Sequence, residues 1–107
     1  TAFGYSVFNL THMLDMCMIA NSLNLDVINA VSPDGRSIQK AVEFLLPFAG
    51  KNVEDFPYQQ IRDWDKVQQD FALQLYRFDK INNLAIFQPY YKKCIMSNIK
   101  NINLIIF

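Results

Sequence analysis

The chain opens with Ala2-Phe3-Gly4-Tyr5-Ser6-Val7-Phe8-Asn9-Leu10, and this stretch leads into the most apolar segment of the sequence. From Val7 to Leu23 apolar residues recur at intervals of three and four, which predicts an α-helix. The apolar positions form two adjoining faces: Val7, Leu10, Leu14 and Cys17 on one, and Met16, Ile19, Ala20 and Leu23 on the other. We therefore expect this helix to be buried on more than one side.

Tyr5 is the first candidate for chemistry in this stretch. Gly4 precedes it, and glycine allows the backbone to turn sharply, so Tyr5 is expected to project from the first turn of the helix. The positive end of the helix dipole favours the anionic form of a phenol, which suits an acid or a base. The alternative is that Tyr5 is an aromatic anchor that packs the start of the helix. His12 follows two turns later on nearly the same face, either beside Tyr5 in a cleft or as ordinary structure.

The length and composition favour one small domain with a packed core. The chain has 107 residues, 51% of them hydrophobic, and a formal net charge of zero. Without a basic excess we expect no nucleic-acid partner, and no apolar run approaches the roughly 18–20 residues of a membrane span. No basic segment followed by an apolar one opens the chain, so we expect no signal peptide in it. Cys17 and Cys94 are expected to be buried free thiols, and one histidine with no ligand cluster predicts neither a metal nor a cofactor.

The rest of the chain predicts further helices joined by loops. Ser32-Pro33-Asp34-Gly35 is a turn, after which Asp34 or Ser37 caps a helix that Pro47 ends. A third amphipathic helix is predicted from about Gln60 to Phe78, and a last one from Tyr90 to about Ile99. The apolar tail at 102–107 is expected to pack on something, because a free β-prone segment promotes aggregation.

The connection between the second and third helices carries Phe56-Pro57-Tyr58. Aromatic residues in a loop can line a sugar-binding surface, and Tyr58 is the candidate for that contact. Alternatively the loop plugs the end of a helix pair.

Several of these segments resemble the alginate lyase family of polysaccharide lyases. The resemblance begins in the opening stretch at 2–10 and continues through Asn24-Leu25-Asp26-Val27 and Pro33-Asp34-Gly35-Arg36-Ser37. It goes on through 41–48 and Pro57-Tyr58-Gln59-Gln60-Ile61, in the same order and at about the same distances. The resemblance implies an all-α fold of antiparallel helix hairpins, part of an incomplete (α/α) toroid.

The resemblance also implies a reaction, β-elimination in a uronic-acid polysaccharide such as alginate. A base removes the proton at C5 of the uronate, and an acid protonates the departing O4. The family tyrosine that matches Tyr5 donates that proton and in some members also abstracts one. The same resemblance implies a periplasmic or secreted location.

The family pairs its tyrosine with an Asn-His motif on an earlier helix and with an arginine upstream, and this chain contains neither. We therefore expect residues 1–107 to be the C-terminal part of the domain, inactive alone. The competing hypothesis is a non-catalytic helical module that binds a protein partner. In either case, faces that other helices of the toroid would cover could drive self-association.

Overall fold

The computed structural model describes residues 2–58 and 63–96. All regular structure in these two ranges is helical. The four α-helices are α1 (Ala2–Ser22), α2 (Ile38–Leu45), α3 (Trp64–Ile81) and α4 (Gln88–Met96), and two short 3-10 turns occupy Leu46–Phe48 and Val53–Asp55. The predicted positions 60–62, 97–99 and 102–107 lie outside the described residues, so the start of the third helix, the end of the last and the packing of the tail stay predictions.

Helix α1 begins earlier than its apolar pattern predicts. Gly4 lies inside the helix and not at a turn before it, so the expected sharp turn at this glycine is wrong. The helix buries one face, formed by Phe3, Val7, Leu10, Leu14 and Cys17. These positions are three or four residues apart, so their side chains lie one above another.

The opposite face of α1 is open, which corrects the expectation that this helix is buried on more than one side. We call this surface the open face; it consists of Tyr5, Phe8, His12, Met16 and Ile19. Phe8 is 59% exposed and Ile19 is 65% exposed. Within the described residues, apolar side chains on α1 therefore have neighbours on one side only.

Helix α2 has the boundaries that its sequence predicts. Ser37 caps its N-terminus, where its side chain accepts a hydrogen bond from the Lys40 N–H at 3.1 Å. The helix buries Val42 and Leu45 and then tightens into the 3-10 turn that contains Pro47. Proline disfavours helical geometry at the residue before it, which explains why the α-helix stops at Leu45.

Helices α1 and α3 run side by side in the same direction. The Phe3 ring packs against Trp64 and Phe71 near the start of α3, with centroid distances of 4.9 and 5.6 Å. Farther along both helices, Arg77 donates a hydrogen bond to Asp15 at 2.5 Å. The N-terminal part of α1 therefore contacts the N-terminal part of α3, and the C-terminal parts contact each other, so the two helices are parallel.

Helix α4 returns antiparallel to α3 and forms a hairpin with it. Phe78 packs on Phe87 next to the connection, and Tyr76 packs on Tyr91 one turn farther away. The Asp79 carboxylate anchors the connection, because its Oδ2 accepts the Phe87 N–H at 2.9 Å. Cys94 of α4 and Cys17 of α1 are buried and form no disulfide, as predicted.

Gln68 fastens the loop after α2 to α3. Its side chain is 1% exposed, accepts the Gly50 N–H at 2.9 Å and donates to the Phe48 carbonyl at 2.9 Å. Gly50 has a φ of +72°, and a Cβ there would lie 2.9 Å from the Lys93 carbonyl oxygen. Only glycine allows this close approach of the loop to α4.

Candidate active site

Tyr5 lies on the open face of α1, close to the N-terminal end of the described helix. Its side chain is 70% exposed, whereas Phe3 and Val7, two residues to either side, are buried. With 3.6 residues per turn, positions two apart point to nearly opposite sides of a helix. Burial of Phe3 and Val7 against α3 therefore directs the phenol of Tyr5 away from the core.

His12 shares the open face with Tyr5, as the spacing of seven residues predicts. Its ring contacts Phe8 edge-on at a centroid distance of 4.4 Å, and its Nδ1 lies 3.8 Å from Asp15 Oδ2. Two turns of helix separate Tyr5 and His12 by about 10 Å along the axis. The two groups are too far apart for a mutual hydrogen bond but can both face one extended ligand.

Tyr58 occupies a different position. Its ring is half-exposed and packs edge-on against Phe56 at 5.5 Å, and Phe56 in turn packs against Phe3 at 5.4 Å. Tyr58 is thus connected to the buried side of α1, whereas Tyr5 points from the opposite side. Among the described residues, no hydrogen bond, ion pair or ring contact joins Tyr58 to Tyr5 or to His12.

A groove beside Tyr5 contains residues that sequence reasoning missed. Ser6 and Asn9 of α1 line it together with Phe44 of α2. Asn9 follows Tyr5 by one turn and is exposed on the adjoining part of the helix surface. An exposed asparagine inside a helix, where its intrinsic propensity is low, is the signal that could have identified it.

The two arginines of the described segments are engaged with carboxylates. Arg36 Nε lies 3.0 Å from Asp34 Oδ2 in the turn before α2, and Arg77 holds Asp15. Hydrogen bonds from Ser32 and Arg36 lower the pKa of the Asp34 carboxyl. Within residues 2–58 and 63–96, no hydrogen bond or ion pair joins Tyr5 to a cationic side chain, so the site presents a solvent-facing phenol.

A group of three or more histidine, cysteine, aspartate or glutamate side chains that could hold a metal is absent from the described part of the chain. No helix among those residues has the length and apolarity needed to cross a membrane.

Asp79 is a second group that sequence reasoning missed. It is 2% exposed, and burial raises the pKa of its carboxyl, whereas the hydrogen bond from the Phe87 N–H and the nearby Ile86 N–H lower it. Burial, and then the charge of Asp79, raise the pKa of the nearby Tyr91 hydroxyl. The sequence did contain a signal for this buried carboxyl: Asp79 follows Leu75 by four residues and therefore lies in the apolar stripe of α3.

Comparison with known proteins gives the same family from sequence and from fold. The family model described as alginate lyase matches residues 1–56, which include Tyr5, His12 and the turn before α2. A crystal structure of an alginate lyase from Bacteroides ovatus is 45% identical and superimposes with a TM-score of 0.79. The match covers 91% of this chain and 25% of that enzyme, and no curated protein matches.

These matches confirm the helical architecture that the resemblance implies. Parallel α1 and α3, with α4 returning along α3, form part of an (α/α) toroid, and the chain spans about a quarter of the length of the similar enzyme. Agreement of the family model, the 45% identity and the shared fold leads to one conclusion: the chain belongs to the alginate lyase family.

Proposed function

We propose that this chain is the C-terminal part of a polysaccharide lyase domain that cleaves a uronic-acid polysaccharide, alginate or a related uronate, by β-elimination. In this proposal Tyr5 transfers the proton, and His12 contacts the bound polymer. The observation that carries the proposal is the 70% exposure of Tyr5, on the face of α1 opposite its packing against α3.

A neutral phenol carries its proton at neutral pH and can give it to the departing O4 of the uronate. Abstraction of the C5 proton needs the phenolate and therefore a cation next to it. The described residues pair Tyr5 with no cation, and they assign Arg36 and Arg77 to carboxylates. The acid role is thus the one that this segment supports best.

The isolated chain is proposed to be inactive, because it spans a quarter of the similar enzyme's length. The groups that neutralise the uronate carboxylate and accept the C5 proton then come from outside these 107 residues. Tyr58 contributes a sugar contact at the N-terminal end of α1, separate from the proton transfer. A periplasmic or secreted location fits a protein that acts on such polymers.

The test is Tyr5→Phe in the complete lyase that contains this segment, with Tyr90→Phe, at a partly exposed tyrosine of α4, as the matched control. Loss of one exposed hydroxyl is expected to lower turnover about 100-fold or more, the usual range for removal of a general acid. Turnover is measured from the ultraviolet absorbance of the unsaturated uronate. Near-normal turnover of Tyr5→Phe would reject the role of Tyr5, and unsaturated product from the isolated chain would reject its inactivity.

The open face of α1 favours a second candidate, a non-catalytic helical module that binds a protein partner, here a second copy of the chain. Phe8, Met16 and Ile19 are each more than half exposed and lie along one side of the helix. Contiguous apolar surface of this kind is typical of interaction sites.

Sedimentation over a range of concentrations tests whether the isolated chain associates with itself. Ile19→Glu places a charge on the open face and is expected to abolish association of the isolated chain. Leu73→Glu changes an exposed apolar residue on α3 and is expected to leave it unchanged. A chain that stays monomeric at every concentration would contradict self-association.

A further inference from the structure

A cavity lies at the hinge of the α3–α4 hairpin, away from the open face. Its walls come from the end of α3, from the connection and from α4, and its lining residues are Tyr76, Asp79, Lys80, Asn83, Leu84, Ala85 and Tyr91. We call it the hairpin cavity. Its volume is about 510 Å³, which is room for a small molecule.

Asp79 gives this cavity its chemistry. Oδ2 of the buried carboxylate anchors the connection through the Phe87 N–H at 2.9 Å. Oδ1 is also buried, and among the described residues it has no hydrogen-bond partner. A buried carboxylate oxygen without a partner loses its hydration and gains nothing in return, which is costly. Within the described residues, one oxygen of Asp79 accepts a hydrogen bond and the other, although buried, accepts none.

The surroundings restrict what that donor can be. A divalent cation needs several oxygen ligands, whereas this cavity has one carboxylate and the ammonium of Lys80 nearby. A negatively charged group placed directly against Asp79 would be repelled, and an apolar ligand would leave Oδ1 unsatisfied. A hydroxyl group satisfies Oδ1, because it donates to a carboxylate and can also accept from a carboxylic acid.

Aromatic rings supply the second part of the site. Tyr76 and Tyr91 lie edge to face, with ring centroids 5.9 Å apart, and Lys80 Nζ is 5.5 Å from the centroid of the Tyr76 ring. Flat aromatic surface next to a buried hydroxyl acceptor suits a sugar ring, which has both an apolar C–H face and hydroxyl groups. The ammonium of Lys80 adds a charge that can pair with a uronate carboxylate.

We propose that the hairpin cavity is an accessory saccharide-binding site, in which a sugar hydroxyl donates to Asp79 Oδ1 and the ring packs against Tyr76. The exposed turn at Asn83 and Leu84 forms one wall, and binding requires this turn to move outward, because Oδ1 is shielded from solvent. The site serves to hold a sugar unit and takes no part in proton transfer.

The position of the cavity separates it from Tyr5. Trp64, which meets the start of α1, and Asp79 are 15 residues apart on α3, or about 22 Å along its axis. A sugar unit in the hairpin cavity therefore lies well away from the one at the phenol. The choice of a uronate as the natural ligand rests on the proposed function. The hydrogen bond from a sugar hydroxyl to Asp79 Oδ1 does not.

The experiment is a titration of the isotope-labelled chain, followed by amide chemical shifts, with an alginate disaccharide and separately with cellobiose. We expect saturable shifts centred on Asn83–Ala85 with at least one of the two sugars. Asp79→Asn retains an acceptor for the Phe87 N–H and is expected to weaken binding about tenfold or more, the cost of losing a hydrogen bond to a charged group. Tyr76→Leu is expected to weaken binding as well.

Asp70→Asn is the matched control, because it makes the same change on the same helix at a carboxylate paired with exposed Lys66. It should bind sugar like the parent chain. Failure of both sugars to shift the cavity amides, or equal affinity of the Asp79→Asn and Asp70→Asn chains, would overturn the proposal. The titration is repeated with Tyr5→Phe, which should bind sugar in the hairpin cavity like the parent chain. Because the experiment measures binding and not turnover, its result does not depend on the lyase proposal.

Discussion

Helices α1 and α3 lie next to each other in the same direction, yet they differ in how they use their surfaces. Helix α3 packs between α1 and α4 and buries polar as well as apolar side chains, among them Gln68, Gln74 and Asp79. Helix α1 buries a single apolar face and leaves large apolar residues open on the other side. The comparison shows that α3 packs against both of its neighbours, whereas α1 keeps an exposed apolar surface on the side away from α3.

The largest expected difference between the two helices comes from removing one phenylalanine from each. Phe71 of α3 is fully buried, so Phe71→Ala should lower the free energy of unfolding by about 3–5 kcal/mol, because it leaves a cavity. Phe8 of α1 is 59% exposed, so Phe8→Ala should change it by less than about 0.5 kcal/mol. Urea unfolding followed by circular dichroism measures both. Equal losses would mean that the open face is covered in solution.

A smaller effect is expected from the buried amide of α3. Gln68→Ala leaves the Gly50 N–H and the Phe48 carbonyl without their partner, and it should cost about 2–3 kcal/mol in the free energy of unfolding. Gln69→Ala, one position along the same helix and partly exposed, is the control and should change stability by less than about 0.5 kcal/mol. If the two variants have the same free energy of unfolding, the hydrogen bonds of Gln68 make no net contribution to stability.

The smallest effect concerns the pH dependence of stability at Asp79. Burial raises the pKa of this carboxyl in the folded chain, so the folded state holds its proton to higher pH than the unfolded state does. Its contribution to stability is therefore present below the unfolded pKa and is lost as pH rises through the folded pKa. Asp79→Asn should become more stable relative to the parent as pH rises from mildly acidic to neutral. A constant difference between the two unfolding curves would contradict this.

Local sequence features predicted the parts of the fold that depend on local chemistry. The N-cap at Ser37 and the stop before Pro47 follow from hydrogen bonding and steric restriction within a few residues, and the structure confirms both. The one-sided burial of α1 could not be predicted, because apolar residues around a helix do not reveal which of them have neighbours. The roles of Gln68 and Asp79 were missed for a similar reason, since their partners lie on distant backbone.

The same contrast holds for the candidate site: positions fixed by helical spacing could be predicted, and positions that depend on packing could not. Helical spacing correctly placed Tyr5 and His12 on one face, because a helix fixes the relation between residues seven apart. Tyr58 lies on a loop whose course depends on packing against Phe56, so its separation from Tyr5 could not be read from the sequence. The catalytic role of Tyr5 and the sugar contact of Tyr58 stay predictions until activity is measured.

The parallel arrangement of α1 and α3 has a consequence for the order of folding. Arg77 and Asp15 meet across 62 positions of chain, whereas the α3–α4 hairpin closes through a short connection. Closing a long loop costs more chain entropy than closing a short one. We therefore expect the hairpin to assemble early and α1 to dock last. By the same reasoning, the segment that bears Tyr5 is the first to detach when the chain begins to unfold.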